Sequence, residues 1–163
     1  MLFVLGWAML VAAAVLASNE TLDPIDALDT DLVQAAGVAL FWAGLLGTLF
    51  AQFSMGDSWR IGVDAGERTT LVTDGPFRLV RNPIFSAMLL TSVGLACLYP
   101  SPLALAGFVC LLLGLELQVR VVEEPYLLKT HGSTYRAYAA RTGRFVPRLG
   151  YLREGRSAEA SPG

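Results

Sequence analysis

The stretch that decides the fold is residues 81–124, RNPIFSAMLLTSVGLACLYPSPLALAGFVCLLLGLELQVRVVEE. It holds two apolar runs, 84–99 and 102–121, joined by a tight, uncharged, proline-containing turn. Pro83 precedes the first run, and its fixed φ suits the first turn of a helix. We interpret the two runs as transmembrane helices that form a hairpin, because each is uncharged over most of its length.

Two further apolar runs, 1–17 and 32–53, precede this hairpin. Of the 163 residues, 54% are hydrophobic and 16% are charged, whereas a soluble domain usually carries about 25% charge. The sequence therefore predicts an all-α integral membrane protein with four transmembrane helices. A cleaved signal peptide is the alternative for the first run, although it lacks a basic leading region. In the second run, Gly37, Gly44 and Gly47 would allow another helix to approach closely.

Charge is distributed unevenly along the chain. The segment 18–31 contains five acidic residues and no lysine or arginine, whereas all twelve basic residues lie in 54–83 or from Arg120 onward. By the positive-inside rule, the acidic segment faces outward and both basic regions face the cytoplasm. The prediction is a multi-pass protein of the cell inner membrane whose active site faces the cytoplasm.

The chain beyond the fourth apolar run becomes mixed and amphipathic. From Glu123 to about Arg141 it predicts one or two C-terminal amphipathic helices at the cytoplasmic membrane surface, with a break at Gly132. We assign residues 1–150 to a single membrane domain. Residues 151–163 are expected to form a disordered tail, because they are polar and lie at the terminus.

Glu116 is an acid inside the fourth apolar run, where a lone carboxylate would be costly. Arg120 follows it at i+4, and Glu124 follows Arg120 at the same spacing. Glu123 completes that face of the helix. The pattern indicates one wall of a polar pocket that opens to the cytosol. The alternative is a purely structural ion ladder at a helix end.

A second group of residues, 69–85, comes immediately before the hairpin. Residues 74–76, Asp-Gly-Pro, are typical of a turn, and Pro83 marks the helix start. The free N–H groups at that start, together with Arg78 and Arg81, would suit a carboxylate ligand. Alone, these features are equally typical of a positive-inside membrane anchor.

A third group of residues, 132–147, follows the amphipathic segment. Tyr135 and Tyr138 are i,i+3 neighbours on one helix face, and Arg141 lies about one turn beyond them. A surface helix that holds lipid headgroups is the alternative interpretation. His131 is the single histidine of the chain, and we place it in a loop as a bystander.

The order and spacing of these groups resemble a known pattern. The segment LVTDGPFRLVRNPIF (71–85), a short hairpin and the segment QVRVVEEPYLLKTHGSTYRAYAARTGRFVP (118–147) resemble the isoprenylcysteine carboxyl methyltransferase family, which is related to the phospholipid N-methyltransferases. The resemblance covers roughly residues 50–148. Gln52 and the segment 58–64 are similar to bacterial members.

The resemblance implies a cytosol-facing pocket for S-adenosylmethionine. It assigns the cofactor to Leu71, Val72, Arg81, Asn82, Pro83, Phe85, Glu123 and Glu124. It assigns catalytic roles to Arg81, Glu124 and Arg141. Asn82 stands where many members have histidine. The asparagine side chain can still donate and accept hydrogen bonds, but it cannot take up and release a proton as an imidazole does.

The resemblance therefore implies methyl transfer from a sulfonium to a small lipophilic or lipid acceptor. Alignment and electrostatics would supply most of the catalysis. A carboxylate acceptor needs no general base, whereas an amine or phenol would, and Glu124 is the candidate. The alternatives are an NADPH-dependent membrane reductase and a non-enzymatic membrane scaffold. No nucleic-acid partner and no metal are expected.

Overall fold

The computed structural model describes residues 1–55 and 71–152. Within these ranges the chain is all-α, as predicted, with no strands. The five α-helices are α1 (Leu2–Ser18), α2 (Asp31–Met55), α3 (Pro83–Leu98), α4 (Pro102–Gln118) and α5 (Glu124–Ala139). A one-turn 3₁₀ helix, Gly75–Arg78, precedes α3, and a π-helical turn, Val119–Glu123, joins α4 to α5.

Each of the four predicted spans falls on one of the helices α1 to α4. Two stretches are long and apolar enough to cross a membrane: α2 and the continuous helical stretch Pro102–Ala139. Helices α1 and α3 are apolar but shorter, at 17 and 16 residues. A membrane location is therefore supported by length and composition, and four crossings remain a prediction.

Helices pack in two close pairs, α1 against α4 and α2 against α3. In the second pair, a methyl group added at Gly44 would meet the backbone of Thr91, and one added at Gly94 would meet the backbone of Phe41. The two backbones therefore nearly touch, as the sequence predicted for Gly44. Small residues at such crossings are how apolar helices gain van der Waals contact inside a bilayer.

The turn between α3 and α4 lies next to the acidic segment 18–31. Ser101 caps α4, since its hydroxyl accepts a hydrogen bond from the Ala104 N–H at 3.2 Å. The Ile25 N–H donates to the Pro100 carbonyl at 2.7 Å. The acidic segment is thus held at the end of α3 opposite Asn82, the residue before that helix begins.

Helix α5 is interrupted at Gly132, as predicted. Gly132 has φ 53° and ψ −121°, a left-handed backbone conformation that a residue with a side chain rarely adopts. After Ala139 the chain turns back toward the start of α3. The segment 58–64 and residues 153–163 of the predicted tail lie outside the described residues.

We predict that Gly44→Ala destabilises the protein while Gly47→Ala does not. A Cβ at Gly44 would overlap Thr91 backbone, whereas a Cβ at Gly47 would meet only the Ala87 methyl, at 3.3 Å. Overpacking of this kind costs about 1–3 kcal/mol, while alanine is intrinsically the better helix former by about 1 kcal/mol. Thermal unfolding in detergent should show a lower Tm for Gly44→Ala only; equal Tm values would contradict the close approach.

Candidate functional site

The segment before α3 and the segment after α5 are joined by backbone hydrogen bonds. The Arg81 N–H donates to the Gly143 carbonyl at 2.7 Å, and the Asn82 N–H donates to the Arg144 carbonyl at 3.1 Å. The Ser86 hydroxyl donates to the Phe145 carbonyl at 2.6 Å. Two groups that the sequence singled out separately, 69–85 and 132–147, therefore form one junction.

The Arg81 guanidinium is the centre of this junction, with its side chain only 1% exposed. Its Nη1 donates to the carbonyls of Ala139 and Thr142, at 2.9 and 2.6 Å. Its Nη2 donates to Glu124 Oε1 at 2.6 Å and to the Gly150 carbonyl at 3.0 Å. Four of the five guanidinium N–H groups are thus used. The fifth, on Nε, is buried and has no partner within residues 1–55 and 71–152.

Glu124 is held between two arginines. Its Oε1 accepts from Arg81 and also from Arg144 Nε at 2.8 Å, and its Oε2 accepts from Arg144 Nη2 at 3.0 Å. Burial opposes the charged form, but the hydrogen bonds and charges of Arg144 and Arg81 outweigh it and lower the pKa of Glu124. Glu124 raises the pKa of Arg144 in turn. Both shifts favour the charged forms of Glu124 and Arg144.

The ion ladder expected along one helix face is only partly present. Arg120 pairs with Glu116, as predicted, and Arg144 Nη1 approaches Glu116 Oε2 at 3.6 Å. The expected Arg120–Glu124 pair was wrong, because Glu124 turns to Arg81 and Arg144 instead. The reason is the π-helical turn at 119–123, which adds a residue to one turn and rotates Glu124 away from the Arg120 face.

A cavity of about 420 Å³ opens beside this charged cluster. It lies between the segment that leads into α3 and one face of α5. Seven residues that the resemblance assigned to the cofactor line it: Leu71, Val72, Arg81, Asn82, Pro83, Phe85 and Glu123. Their convergence fits the single pocket that the sequence implied.

Two of the assigned residues do not line the cavity. Glu124 is buried next to Arg81 and contacts the arginines rather than the open space. Arg141 is exposed, and its Nε donates to the Ala137 carbonyl at 3.2 Å. Arg81 is the member of the predicted catalytic set that reaches the cavity.

Sequence reasoning missed much of the α5 side of the cavity. Glu123, Leu127 and His131 line it at i,i+4 spacing, which is one face of a helix. His131 is therefore on the cavity wall inside α5, not in a loop. The remaining lining residues are Met55, Phe77, Ile84, Tyr126, Tyr135 and Tyr138. Helical periodicity across residues 123–131 was the available signal, and Gly132 obscured it.

The aromatic lining is neutral and partly fixed. The Tyr138 hydroxyl donates to the Phe77 carbonyl at 2.6 Å. Burial raises the pKa of Tyr135 to about 12, and burial also raises the pKa of Tyr138. Burial likewise raises the pKa of Glu123, the carboxyl group on the wall. Within residues 1–55 and 71–152, the lining thus combines aromatic surface with the Glu123 carboxyl group and Arg81.

A second hollow, of about 740 Å³, lies between the N-terminal end of α1 and the C-terminal end of α4. Its lining is mostly apolar, from Leu2 and Phe3 on one side to Val121 and Val122 on the other. Phe85, near the start of α3, borders both this hollow and the first cavity.

The fold and the site together are an apolar helical bundle with an aromatic and charged cavity at one end. Residues 32–134 match the family described as PEMT, phospholipid methyltransferase. That match covers more than half of the chain, from α2 into α5, and the protein belongs to this family. No solved structure matches the chain.

Two curated relatives carry names from metal resistance. The chain is 32% identical over 116 residues to the nickel-cobalt-cadmium resistance protein NccN of Alcaligenes xylosoxydans xylosoxydans, covering 71% of this chain and 53% of the relative. It is 31% identical over 115 residues to the cobalt-zinc-cadmium resistance protein CzcN of Cupriavidus metallidurans, covering 70% and 52%. The chain spans about half the length of these relatives.

We predict that Glu124→Gln is far more damaging to stability than Glu116→Gln. Removing the Glu124 charge leaves Arg81 buried without its counter-ion, which costs about 3–5 kcal/mol. Glu116 is 30% exposed and its partner Arg120 is 58% exposed, so that loss should stay within about 1 kcal/mol. Denaturant unfolding in mixed micelles measures the difference. Similar losses for the two variants would show that the buried cluster does not hold the junction together.

Proposed function

We propose that the protein is a membrane methyltransferase that uses S-adenosylmethionine to methylate a small lipophilic acceptor. Membership of the phospholipid methyltransferase family supports methyl transfer in general terms. The observation that carries the finer proposal is the cavity, where seven residues assigned to the cofactor by the sequence resemblance converge on one space.

The chemistry of the lining suits this cofactor. S-adenosylmethionine would supply a methyl group on a positively charged sulfonium, and it also bears an ammonium and a carboxylate. Aromatic faces such as those of Phe77 and Tyr135 attract organic cations and stack on a purine ring. The Glu123 carboxylate would hold the ammonium, and that positive charge would in turn favour the ionised form of the buried acid.

Arg81 brings a positive charge to the cavity wall. Its Nε–H has no partner among the described residues, but this atom is buried and is not open to a ligand. In the proposal Arg81 attracts an anionic group of the ligand through its charge. Glu124 is then a positioning residue, because it fixes the guanidinium and does not reach the open space.

Arg141 takes a different place in the proposal. It is exposed beyond Tyr138 and outside the cavity lining, where it would meet a polar headgroup of the acceptor. The apolar part of the acceptor would lie in the hollow between α1 and α4, and Phe85 would separate it from the cofactor. Both spaces lie at the end of α3 away from the acidic segment, so by the positive-inside rule we place the site on the cytoplasmic side of the inner membrane.

Binding of S-adenosylhomocysteine tests the proposal. We expect the purified protein in detergent to bind this nucleotide in calorimetry and to show no binding of NADPH. Glu123→Gln should weaken binding about 10- to 100-fold, because a charge-assisted hydrogen bond contributes about 1.5–3 kcal/mol. Lys129→Gln is the matched control, since Lys129 is exposed elsewhere on α5.

Two outcomes would contradict the proposal. Binding of NADPH without S-adenosylhomocysteine would favour the membrane reductase. Failure of a folded protein to bind either nucleotide would favour the non-enzymatic scaffold. Transfer of a radiolabelled methyl group into membrane lipid extracts then distinguishes a methyltransferase from a protein that only binds the nucleotide.

A role in metal resistance is a second candidate function, and the names of the two relatives favour it. If the methylated product serves resistance, a strain without this protein should tolerate less nickel, cobalt or cadmium. Wild-type protein should restore growth, and Glu123→Gln should not, although both reach the membrane at equal levels. Growth that is independent of the protein at every metal concentration would contradict this role.

A further inference from the structure

His131 is the one histidine of the chain, and it lies half-buried on the cavity wall. It follows Glu123 and Leu127 along the same face of α5, each four residues after the last. Lys129, between the last two of these positions, is exposed on another face. The orientation of α5 therefore presents the imidazole to the same space as the residues assigned to the cofactor.

The other ionisable groups of the cavity are committed elsewhere. Arg81 is a donor only, and it is held by Glu124. The buried tyrosines are neutral phenols, which are poor proton acceptors at neutral pH. The proposed function uses Glu123 to bind the ammonium of the cofactor. Among the described residues, the titratable and charged groups that line the cavity with His131 are Arg81, Glu123, Tyr126, Tyr135 and Tyr138.

We propose that His131 is the general base of the site, which takes a proton from an amine acceptor so that the acceptor nitrogen can be methylated. This inference rests on the proposed function. In the balanced step, the acceptor ammonium first gives a proton to the unprotonated imidazole nitrogen, which passes it to water. The freed electron pair on the acceptor nitrogen then bonds to the methyl carbon as the carbon–sulfur bond breaks and its electron pair stays on sulfur. Imidazole suits this role because its unprotonated nitrogen accepts a proton.

The assignment replaces Glu124, the base that the sequence suggested. Glu124 accepts three hydrogen bonds from two arginines, its pKa is lowered, and it does not line the cavity. Asn82, where the resemblance led us to expect a histidine, lines the cavity beside the start of α3. His131 brings an imidazole to the same cavity from a different element, α5.

The experiment compares two acceptors of equal length with tritiated S-adenosylmethionine. n-Dodecylamine carries protons that must leave, whereas dodecanoate is ionised and needs no base. We expect His131→Ala to lower kcat with the amine by roughly 100-fold, the lower end of the range of general base catalysis. Methylation of dodecanoate by His131→Ala should match that of the wild type. Added imidazole should restore amine methylation in His131→Ala, an effect that a structural role would not produce.

Calorimetric binding of S-adenosylhomocysteine separates this inference from the proposed function. His131→Ala and the second variant His131→Gln should bind it within about twofold of wild type, as should the control Lys129→Ala. An amine rate in both His131 variants close to that of wild type would overturn the inference, as would equal losses with both acceptors. A wild-type protein that binds the nucleotide but never methylates the amine also overturns it and leaves the proposed function standing. Failure of wild type to bind the nucleotide overturns both.

Discussion

The buried pair of Arg81 and Glu124 is the interaction on which the architecture of the site depends. Taking both charges out of water is expensive, and their mutual attraction offsets that cost only if the remaining donors and acceptors are satisfied. Here the backbone carbonyls of Ala139, Thr142 and Gly150 accept from three more of the guanidinium N–H groups, which leaves only Nε without a partner among the described residues, and Arg144 completes the carboxylate. The pair therefore requires the chain after α5 to return to the start of α3.

That requirement creates the cavity. The Val80–Gly143 bridge and its flanking hydrogen bonds fix the segment after α5 to residues 80–82. Helix α5 must therefore pass beside the N-terminal end of α3. The break at Gly132 lets the helix change direction within that short distance. The space left between the two elements is lined by side chains from both. Neither hairpin nor amphipathic helix would form such a site alone.

Much of the bundle follows from local signals in the sequence. Apolar runs, Pro83 and Pro102 mark α1 to α4 because burial, length and the fixed φ of proline act over a few residues. The partner of Glu124 could not be found in this way. One extra residue in a π-helical turn changed its face, and its partners lie 43 and 20 residues away along the chain. The position of His131 was missed because Gly132 suggested a loop, whereas the helix continues through residue 131.

The positive and negative groups around the cavity lie on different sides of it. Arg81, Glu124 and Arg144 together carry one net positive charge, and Glu116 with Arg120 carries none. Glu123, on the α5 wall, is the carboxyl group that faces the open space. The site therefore has a positive side at the arginine cluster and a negative group on α5, with aromatic rings between them. In the proposed function, the ammonium of the cofactor would meet Glu123 and its carboxylate would meet the arginine side. Among residues 1–55 and 71–152, Arg81 is the one arginine on the lining, and four of its five donors are already taken.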